Sequence, residues 1–405
     1  MEIAAAREVP SLRRFVELAH ACGFDLAGVA PARPLEEFAF YRQWVAEGLA
    51  GPMGYLTDHR MAVRSDPRQL LAAARSVLCL GKLYNTLETE RRPGNADLQI
   101  GTDCRVSGNA WGDFRRSDGI AGFAADPAVT APVSGLVSRY AWGSGDYHDL
   151  LRATLETLAA RLREYWGDFE YRVCVDTAPL LERAYARAAG LGWIGRNTCL
   201  INEPAGSWFF LGEILISVDL PAGSPPPDRC GSCTRCIDAC PTQALVPVAG
   251  ATGTEWQLDA RLCISTLTIE QKGATPEATR PGTGHHLLGC DICQDVCPWN
   301  RRSPVTDDPA FQPLNARLDL VEMAGLTREE FRARFRATPV WRSKFEGFLR
   351  NVATVMGNSG DPRYAGPLQT LARSGDPGVA AHAQWALEQL KRPARVSEST
   401  LKEQE

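Results

Sequence analysis

The first half of the chain alternates between helical and strand-like spacing of its hydrophobic residues. Ser11 is a good helix cap ahead of an apolar run with helical periodicity that stops at Gly23. A second helix is predicted by leucines that share one helical face, namely Leu151, Leu155, Leu158 and Leu162. Four segments have the length and apolar content of strands, and they span residues 25–30, 76–84, 170–175 and 208–218. Residues 1–220 are therefore predicted to form a mixed α/β domain.

A proline-rich linker separates this region from the rest of the chain. Pro221-Ala-Gly-Ser-Pro-Pro-Pro227 is typical of a connection between domains, and the cysteine-rich segment after it predicts a second domain over residues 221–315. The pattern then turns helical, which predicts a third, α-helical domain over residues 316–405. Asp361-Pro362 and Asp376-Pro377 each combine a capping residue with a proline at the first helical position. They predict a short helical hairpin of the kind found in stacked helical repeats.

Two segments rich in small residues interrupt the periodic pattern. Residues 91–132 are rich in Gly, Asp and Ala, and residues 246–254 are rich in Gly, Ala and Thr. We expect a long loop in the first case and a loop insertion in the second.

Composition and charge describe a soluble globular protein of more than one domain. The 405 residues are 44% hydrophobic and 23% charged, with a formal net charge of −4. This balance disfavours bulk electrostatic binding to nucleic acid but allows a local basic patch. The N-terminus lacks the apolar segment of a secretory signal, and the apolar residues 208–220 are too short to span a membrane. We therefore expect a cytoplasmic protein without membrane contact, in which clustered cysteines indicate metal binding rather than disulfides.

The spacing of the cysteines is the strongest chemical signal in the sequence. The run Cys230-x2-Cys233-x2-Cys236-x3-Cys240-Pro241 is typical of two-cluster ferredoxins, in which the fourth cysteine binds the other cluster. A second run, Cys290-x2-Cys293-x3-Cys297-Pro298, is one thiolate short, and Cys263 is the only cysteine between the two runs.

If the last cysteine of each run binds the cluster of the other run, and Cys263 joins the second set, eight thiolates bind two [4Fe–4S] clusters. The first cluster is predicted to bind Cys230, Cys233, Cys236 and Cys297, and the second Cys240, Cys263, Cys290 and Cys293. A pair of structural zinc sites is the alternative, although zinc ligands usually come as two separated pairs. Cys22, Cys79 and Cys174 lie in apolar contexts and are predicted core residues, while Cys104 and Cys199 receive no role.

Two further features have competing interpretations. Gly190-Leu-Gly-Trp-Ile-Gly195 matches a dinucleotide-binding pattern, but it follows a predicted helix instead of a strand, so we expect a turn that brings the backbone close to another flat cofactor. Asp176 lies at the end of the predicted strand 170–175, where ligands collect in open α/β sheets. Position alone favours a helix-capping role for Asp176 over a general acid.

Several segments together resemble the epoxyqueuosine reductase family over most of the chain. The resemblance rests on Val175-Asp176-Thr-Ala-Pro179, Ala189-Gly-Leu-Gly-Trp-Ile-Gly-Arg-Asn197, Asp228-Arg-Cys-Gly-Ser-Cys-Thr-Arg-Cys236, Cys263-Ile-Ser-Thr-Leu-Thr-Ile-Glu270 and Gly289-Cys-Asp-Ile-Cys-Gln-Asp-Val-Cys-Pro-Trp-Asn300. Upstream, Met53-Gly-Tyr-Leu56 with Arg64, and Ser138-Arg-Tyr-Ala-Trp-Gly with Asp146-Tyr-His148, fit as well.

This resemblance implies an enzyme that reduces epoxyqueuosine in tRNA to queuosine with cobalamin and two [4Fe–4S] clusters. It implies a cobalamin-binding α/β domain, a ferredoxin-like domain and a HEAT-like helical-repeat domain. It makes Asp176 the proton donor, which overrides the capping interpretation, and it makes Arg64, Tyr140 and Asn197 the expected cobalamin contacts. Asp146-Tyr-His148 lacks the glycine of the corrinoid-binding histidine motif, so this histidine is not expected to ligate cobalt. We further expect a flavodoxin- or ferredoxin-type electron donor and a monomer.

The tRNA would need a basic surface, and residues 327–350 offer a candidate. This segment contains seven Lys or Arg residues against three Glu, with a solvated helix face as the alternative interpretation. Two other functions remain open at this point: a corrinoid iron–sulfur reductase related to reductive dehalogenases, and a ferredoxin-type electron carrier.

Overall fold

The structure, a computed structural model, describes residues 9–87, 133–250 and 253–392. Its strands are β1 (Leu26–Pro31), β2 (Ser76–Leu83), β3 (Ser134–Val137), β4 (Tyr171–Cys174), β5 (Trp193–Ile194), β6 (Leu200–Ile201), β7 (Phe209–Ile216), β8 (Leu245–Gly250), β9 (Gly253–Leu258), β10 (His286–Leu288) and β11 (Arg317–Asp319). Its helices are α1 (Leu12–Ala21), α2 (Glu37–Ala46), α3 (Arg60–Val63), α4 (Tyr147–Trp166), α5 (Glu182–Ala188), α6 (Arg235–Asp238), α7 (Ile264–Ile269), α8 (Ile292–Asp295), α9 (Leu320–Ala324), α10 (Arg328–Phe335), α11 (Lys344–Ser359), α12 (Ala365–Leu371) and α13 (Pro377–Lys391). Within these ranges, no helix combines the length and hydrophobicity that crossing a bilayer requires.

The four predicted strands form one sheet, in the order β1-β2-β7-β4. Every neighbouring pair is antiparallel, whereas the expectation that ligands collect at the strand ends rests on parallel sheets. The predicted helices α1 and α4 cover one face, where their side chains Phe15 and Leu155 are fully buried. Gly212 of β7 allows this close packing, because an added Cβ would lie 2.8 Å from a Leu155 methyl group. Helix α5 covers the opposite face.

A second sheet draws on all three predicted domains. Its order is β10-β3-β11, with β3 parallel to β10 and antiparallel to β11. The same buried cluster that contains Val137 and Leu288 of this sheet also contains residues of α11 and α13. The predicted domain boundaries at residues 220 and 315 therefore separate segments of sequence that share one hydrophobic core.

The C-terminal helices begin where the Asp-Pro pairs predict. Asp376 caps α13 by accepting the Val379 N–H at 2.9 Å, and Asp361 caps a short 3-10 turn that leads into α12. Helices α11, α12 and α13 pack together around buried residues such as Val352, Leu368 and Ala383. The helical hairpin is confirmed, and the HEAT-like repeat stays a prediction.

The predicted loop insertion at residues 246–254 is wrong. Strands β8 and β9 form an antiparallel hairpin there, from the Leu245–Leu258 pair to the Gly250–Gly253 pair. Small residues do not prevent pairing, because the ladder hydrogen bonds come from the backbone. The predicted loop at residues 91–132 lies outside the described residues.

A buried arginine joins the C-terminal helices to the cysteine-rich segment. Arg350 of α11 is 2% exposed and donates to the carbonyl oxygens of Leu267 at 2.8 Å and of Gln271 and Gly273, each at 2.7 Å. Burial lowers its pKa to about 10, so it stays charged at neutral pH. Next to it, Asn351 donates to the backbone of α7 and β10. Helix α11 thereby holds the chain between Cys263 and Cys290 in place.

Replacing Arg350 with Met should lower the free energy of unfolding by about 3 kcal/mol, because three buried carbonyl oxygens lose their donor. Urea unfolding measures the change. The matched control Arg373→Met alters an exposed arginine and should change stability by less than about 0.5 kcal/mol. Equal effects of the two substitutions would contradict this role of Arg350.

Candidate active site and cysteine clusters

Asp176 occupies a strained turn between β4 and α5. Its backbone has a φ of 41°, in the left-handed region that non-glycine residues rarely adopt. Residues held in this way cluster at functional sites, because the surrounding structure must hold them there. The Asp176 side chain is 47% exposed and faces the first turn of α4.

His148 lies between two carboxylates. Its Nε2 is 2.8 Å from Oδ2 of Asp176, and its Nδ1 is 2.9 Å from Oδ1 of Asp146. Asp146 is the N-cap of α4 and accepts the backbone N–H of His148 at 3.0 Å. Tyr147, between them in sequence, donates its hydroxyl to the same Asp176 oxygen at 3.0 Å. The helix start therefore fixes the direction in which His148 and Tyr147 meet Asp176.

Arg342 completes this group from the C-terminal part of the chain. It lies on the 3-10 segment Pro339–Ser343, and its Nη1 donates to the Tyr147 hydroxyl at 3.0 Å. Its guanidinium also contacts the His148 ring and lies 3.3 Å from Asp146 and 3.8 Å from Asp176. Arg342 was part of the predicted basic patch, but the structure places it inside the site.

Three of the other six cations in the predicted basic segment are also engaged within the protein. Arg350 is buried against carbonyl oxygens, while Arg328 pairs with Glu346 and Arg334 pairs with Glu322. A phosphate-binding surface formed by all seven cations is therefore wrong.

The protonation states follow from these contacts. Burial tends to raise the pKa of Asp176, but the hydrogen bond and charge of His148, with the charge of Arg342, hold that pKa below its ordinary value. Burial tends to lower the pKa of His148, but hydrogen bonds to Asp146 and Asp176 raise it overall. At mildly acidic pH the imidazole holds the proton and Asp176 is a carboxylate. A general-acid role for Asp176 thus depends on transfer of that proton.

Aromatic and polar side chains form the walls around Asp176. The charge of Asp176 helps to raise the pKa values of Tyr55, Tyr140 and Glu270, after burial as the main cause. Tyr140 meets Tyr147 edge to face, with ring centroids 6.0 Å apart. Tyr55 lies 3.4 Å from Glu270 through its hydroxyl and is 36% exposed. Partly exposed tyrosines with polar tips suit a flat cofactor with polar edges.

The side chains of the other two predicted cofactor contacts donate hydrogen bonds to the protein's own backbone. Arg64 is 5% exposed and donates to the Tyr55 carbonyl oxygen at 3.1 Å. Asn197 is 5% exposed and donates to the Cys293 carbonyl oxygen at 3.2 Å. The glycine-rich turn before Asn197 packs against the protein's own backbone, since a Cβ on Gly192 would lie 2.2 Å from the Ile201 carbonyl oxygen. That close approach does not require a cofactor.

The predicted first set of cysteines lies together. Burial, followed by the charges of neighbouring cysteine thiolates, raises the pKa of Cys236 to about 12, and those neighbours are Cys230, Cys297 and Cys233. Cys230 and Cys297 pack with Trp193 and Trp299. Arg196 donates to the carbonyl oxygens of Gly231 at 2.6 Å and Cys233 at 3.2 Å, which orders the loop between them.

The predicted second set lies together as well. Burial is the main cause of the raised pKa values of Cys263 and Cys290, and the charge of Cys240 contributes to both. Cys263 and Cys290 in turn act on Cys293. In the described part of the chain, no three His, Cys, Asp or Glu side chains form a group that could hold one metal ion.

Sequence reasoning missed several members of these sites. Cys199 was assigned no role, yet its thiol interacts electrostatically with that of Cys293. Tyr147 and His148 were noted only as part of the resemblance, and an Asp-x-His pair directly at a helix start is the signal that could have indicated them. Arg342 had no such signal, because it lies more than 160 residues from Asp176 in the chain.

Comparisons with known proteins agree on the family that this chain resembles. Residues 229–300 match a family of 4Fe-4S double cluster binding domains, and residues 123–177 match the family "Epoxyqueuosine reductase QueG, DUF1730". The chain is 39% identical over 380 residues to an epoxyqueuosine reductase of Xanthomonas campestris pv. campestris, covering 93% of this chain and 95% of that protein. It is 38% identical to one from Pseudomonas aeruginosa, covering 90% of each chain.

Solved structures agree with these sequence matches. A crystal structure of a selenomethionine-labelled epoxyqueuosine reductase superposes with a TM-score of 0.76 at 26% identity, covering 94% of this chain and 91% of that one. A crystal structure of an epoxyqueuosine reductase with an epoxyqueuosine-modified tRNA-Tyr stem loop superposes with a TM-score of 0.74 at 26% identity, covering 94% and 90%.

Replacing His148 with Leu should raise the pKa of Asp176, because burial remains while the hydrogen bond and charge of the imidazole are lost. Nuclear magnetic resonance of carboxyl-labelled aspartate measures this pKa, and His59→Leu, at an exposed histidine, is the control. In the wild type, ionised Asp176 stabilises the folded state at pH values above 3.8, its ordinary pKa. This contribution is lost as the pH falls through the lowered pKa that Asp176 has in the folded protein. Protonated His148 stabilises the folded state at pH values below 6.5, its ordinary pKa. This contribution is lost as the pH rises through the raised pKa that His148 has in the folded protein. An unchanged Asp176 titration in the variant would show that the imidazole does not control that carboxylate.

Proposed function

The chain belongs to the epoxyqueuosine reductase family, and on that basis we propose that it reduces epoxyqueuosine in tRNA to queuosine, the last step of queuosine biosynthesis. The observation that carries this proposal is the similarity to an epoxyqueuosine reductase along nearly the whole of both chains. The two alternative functions lose their support, because a generic electron carrier or a dehalogenase does not account for that similarity.

The eight predicted cysteines would hold two [4Fe–4S] clusters. Cys230, Cys233, Cys236 and Cys297 are proposed for the first cluster, and Cys240, Cys263, Cys290 and Cys293 for the second. The double-cluster family match and the grouping of the thiols in the structure support this assignment. Four thiolates per cluster are the donor set that such clusters require.

Cobalamin is the proposed group at the substrate. When bound, it supplies two-electron chemistry at carbon, which iron–sulfur clusters do not supply because they deliver electrons singly. The tyrosines beside Asp176 fit a flat macrocycle with polar edges, and Tyr140 is the proposed contact among them. Arg64 and Asn197 stay proposed contacts, with Arg64 held by the Tyr55 backbone and Asn197 by the cluster loop.

Asp176 is proposed to deliver a proton to the epoxide oxygen. Conversion of an epoxide to an alkene and water consumes two electrons and two protons, so proton delivery is part of every turnover. His148 holds a proton 2.8 Å from Asp176 and can pass it to that carboxylate. Arg342 and Tyr147 orient the pair, and Asp146 stabilises the charged imidazole.

The substrate and the remaining partners are proposed from the family. A relative of known structure carries an epoxyqueuosine-modified tRNA stem loop, which supports a tRNA substrate for this chain. We expect the tRNA to contact exposed cations that the fold leaves available, such as Arg332, instead of Arg342. A flavodoxin- or ferredoxin-type protein is the proposed electron donor, and the protein is proposed to act as a cytoplasmic monomer.

Replacing Asp176 with Asn should lower kcat at least about 100-fold while both clusters and cobalamin stay bound. Asn tolerates the left-handed backbone and removes only the ionisable group. Single turnover on tRNA that carries epoxyqueuosine measures the rate, and absorbance measures the cofactors. Asp149→Asn, at an exposed residue of α4, is the control. Full activity of the Asp176 variant would remove this residue from proton delivery, and an inactive wild type would refute the proposed reaction.

Replacing Cys263 with Ser should reduce the iron content of anaerobically purified protein from about eight to about four per chain. Elemental analysis measures the iron, and Cys22→Ser, outside both sets, should retain it all. Zinc in place of iron in the wild type, or an unchanged iron content in the Cys263 variant, would overturn the assignment.

A further inference from the structure

A buried aspartate lies between two of the proposed ligands of the second cluster. Asp291 is 5% exposed and directly follows Cys290, with Cys293 two residues further along the chain. It occupies the N-cap position of α8, where an aspartate usually accepts an N–H of its own helix. Its side chain makes no such hydrogen bond. Helix capping therefore does not explain why a carboxyl group is buried at this position.

The Asp291 side chain is instead held by the segment that follows β3. Ser138 donates its hydroxyl to Oδ1, and the backbone N–H of Arg139 donates to Oδ2 at 2.7 Å. Because each of the two oxygens accepts a hydrogen bond, the pattern is that of an ionised carboxylate. Both donors are neutral groups, so they hold the carboxylate without cancelling its negative charge.

The guanidinium of Arg139 is engaged with other groups. It donates to Oδ1 of Asn85, lies 4.4 Å over the Trp208 ring and is 3.6 Å from Oδ1 of Asp295. Arg139 thus meets Asp291 through its neutral backbone N–H, while its charge is paired with a different carboxylate.

The chain just before Cys290 packs closely against Ser138. The backbone N–H of Ser138 donates to the Leu288 carbonyl oxygen at 2.8 Å. A Cβ on Gly289 would lie 2.5 Å from the Ser138 Cβ, and Gly289 has a φ of 70°, which favours glycine. Its N–H donates to the Thr268 hydroxyl at 2.9 Å. These contacts fix the loop of the second cysteine set next to the donors of Asp291.

The first cysteine run has no carboxylate at the matching position. Cys290-Asp-Ile-Cys293 and Cys230-Gly-Ser-Cys233 have the same spacing, and Gly231 matches Asp291. Since consecutive Cα atoms are about 3.8 Å apart, a charge at residue 291 acts close to a proposed cluster ligand. A negative charge beside an iron–sulfur cluster disfavours the addition of an electron, and burial strengthens the effect because the surrounding dielectric is low.

We propose that the Asp291 carboxylate lowers the reduction potential of the second cluster and that Ser138 holds this charge in position. Asp291 is a positioning residue in this role: it acts on the cluster through its charge and takes no part in bond making. This inference rests on the proposed function, because it requires Cys290 and Cys293 to bind the second cluster.

A redox titration followed by electron paramagnetic resonance tests the charge. Asp291→Asn keeps the size of the side chain but removes the charge, so it should raise the potential of the second cluster. Its reduction equilibrium should shift about tenfold, which corresponds to 59 mV for a one-electron couple. The signal that is missing from Cys263→Ser identifies the second cluster.

Asp238→Asn is the matched control for this titration. Asp238 also lies between two cysteines, Cys236 and Cys240, but it is exposed. Water and salt screen its charge, so the shift in the reduction equilibrium should stay below about twofold. An unchanged potential in Asp291→Asn, or an equal shift in the control, would overturn the proposal.

Ser138→Ala separates the effect of charge from that of altered structure. This variant keeps the charge of Asp291 but removes the hydroxyl dipole that faces it, so the potential of the second cluster should fall, with a shift of about twofold. A merely structural disturbance would move the potential in the same direction in both variants. If Asp291→Asn purifies without its second cluster, Ser138→Ala decides: a lower potential supports the proposal, and an unchanged or higher one overturns it.

The titrations also separate this inference from the proposed reaction. Two clusters in the wild type with no shift in Asp291→Asn would overturn the role of Asp291 and leave the reaction standing. The expected shifts in a protein that does not reduce epoxyqueuosine in tRNA would uphold the role of Asp291 while the proposed reaction fails. Zinc in place of iron would overturn the cluster assignment and this inference together.

Discussion

The contact between Asp176 and His148 is the interaction on which the rest of the site depends. It brings the turn after β4 and the start of α4 within 2.8 Å of each other, and Arg342 ties the C-terminal part of the chain to both. The contact also decides where the proton resides, since hydrogen bonding and charge outweigh the effect of burial on both groups. A strained backbone at Asp176 is tolerated because several groups hold its carboxylate.

The central sheet places a buried glutamate close to Asp176 in strand register. Its antiparallel strands place Glu213 opposite Cys174, two residues before Asp176. Burial in an apolar layer favours the neutral form of a carboxylic acid such as Glu213, whereas the half-exposed carboxylate of Asp176 lies next to His148 and Arg342 and stays ionised. Neighbouring carboxyl groups therefore take opposite protonation states because their surroundings differ, which is a common basis for acid–base chemistry in active sites.

Long-range packing also orders the segment that carries the second cysteine set. Sheet β10-β3-β11 combines strands from three distant parts of the chain, and Arg350 and Asn351 fix the segment between Cys263 and Cys290 against α11. Asn197 donates to the Cys293 carbonyl oxygen, which links the glycine-rich turn to the second set.

The sequence by itself determined the features that depend on local spacing: the four strands of the main sheet, the capped helices and the grouping of the cysteines. Periodicity and capping act within a few residues, and cysteine spacing directly limits which sulfurs can share a cluster. The tertiary structure alone decided the antiparallel order of the sheet, the hairpin at β8 and β9, the inward position of Arg342 and the burial of Glu213 within β7. These depend on contacts between residues that are far apart in the chain, and burial and neighbouring charge exist only once those residues have packed together.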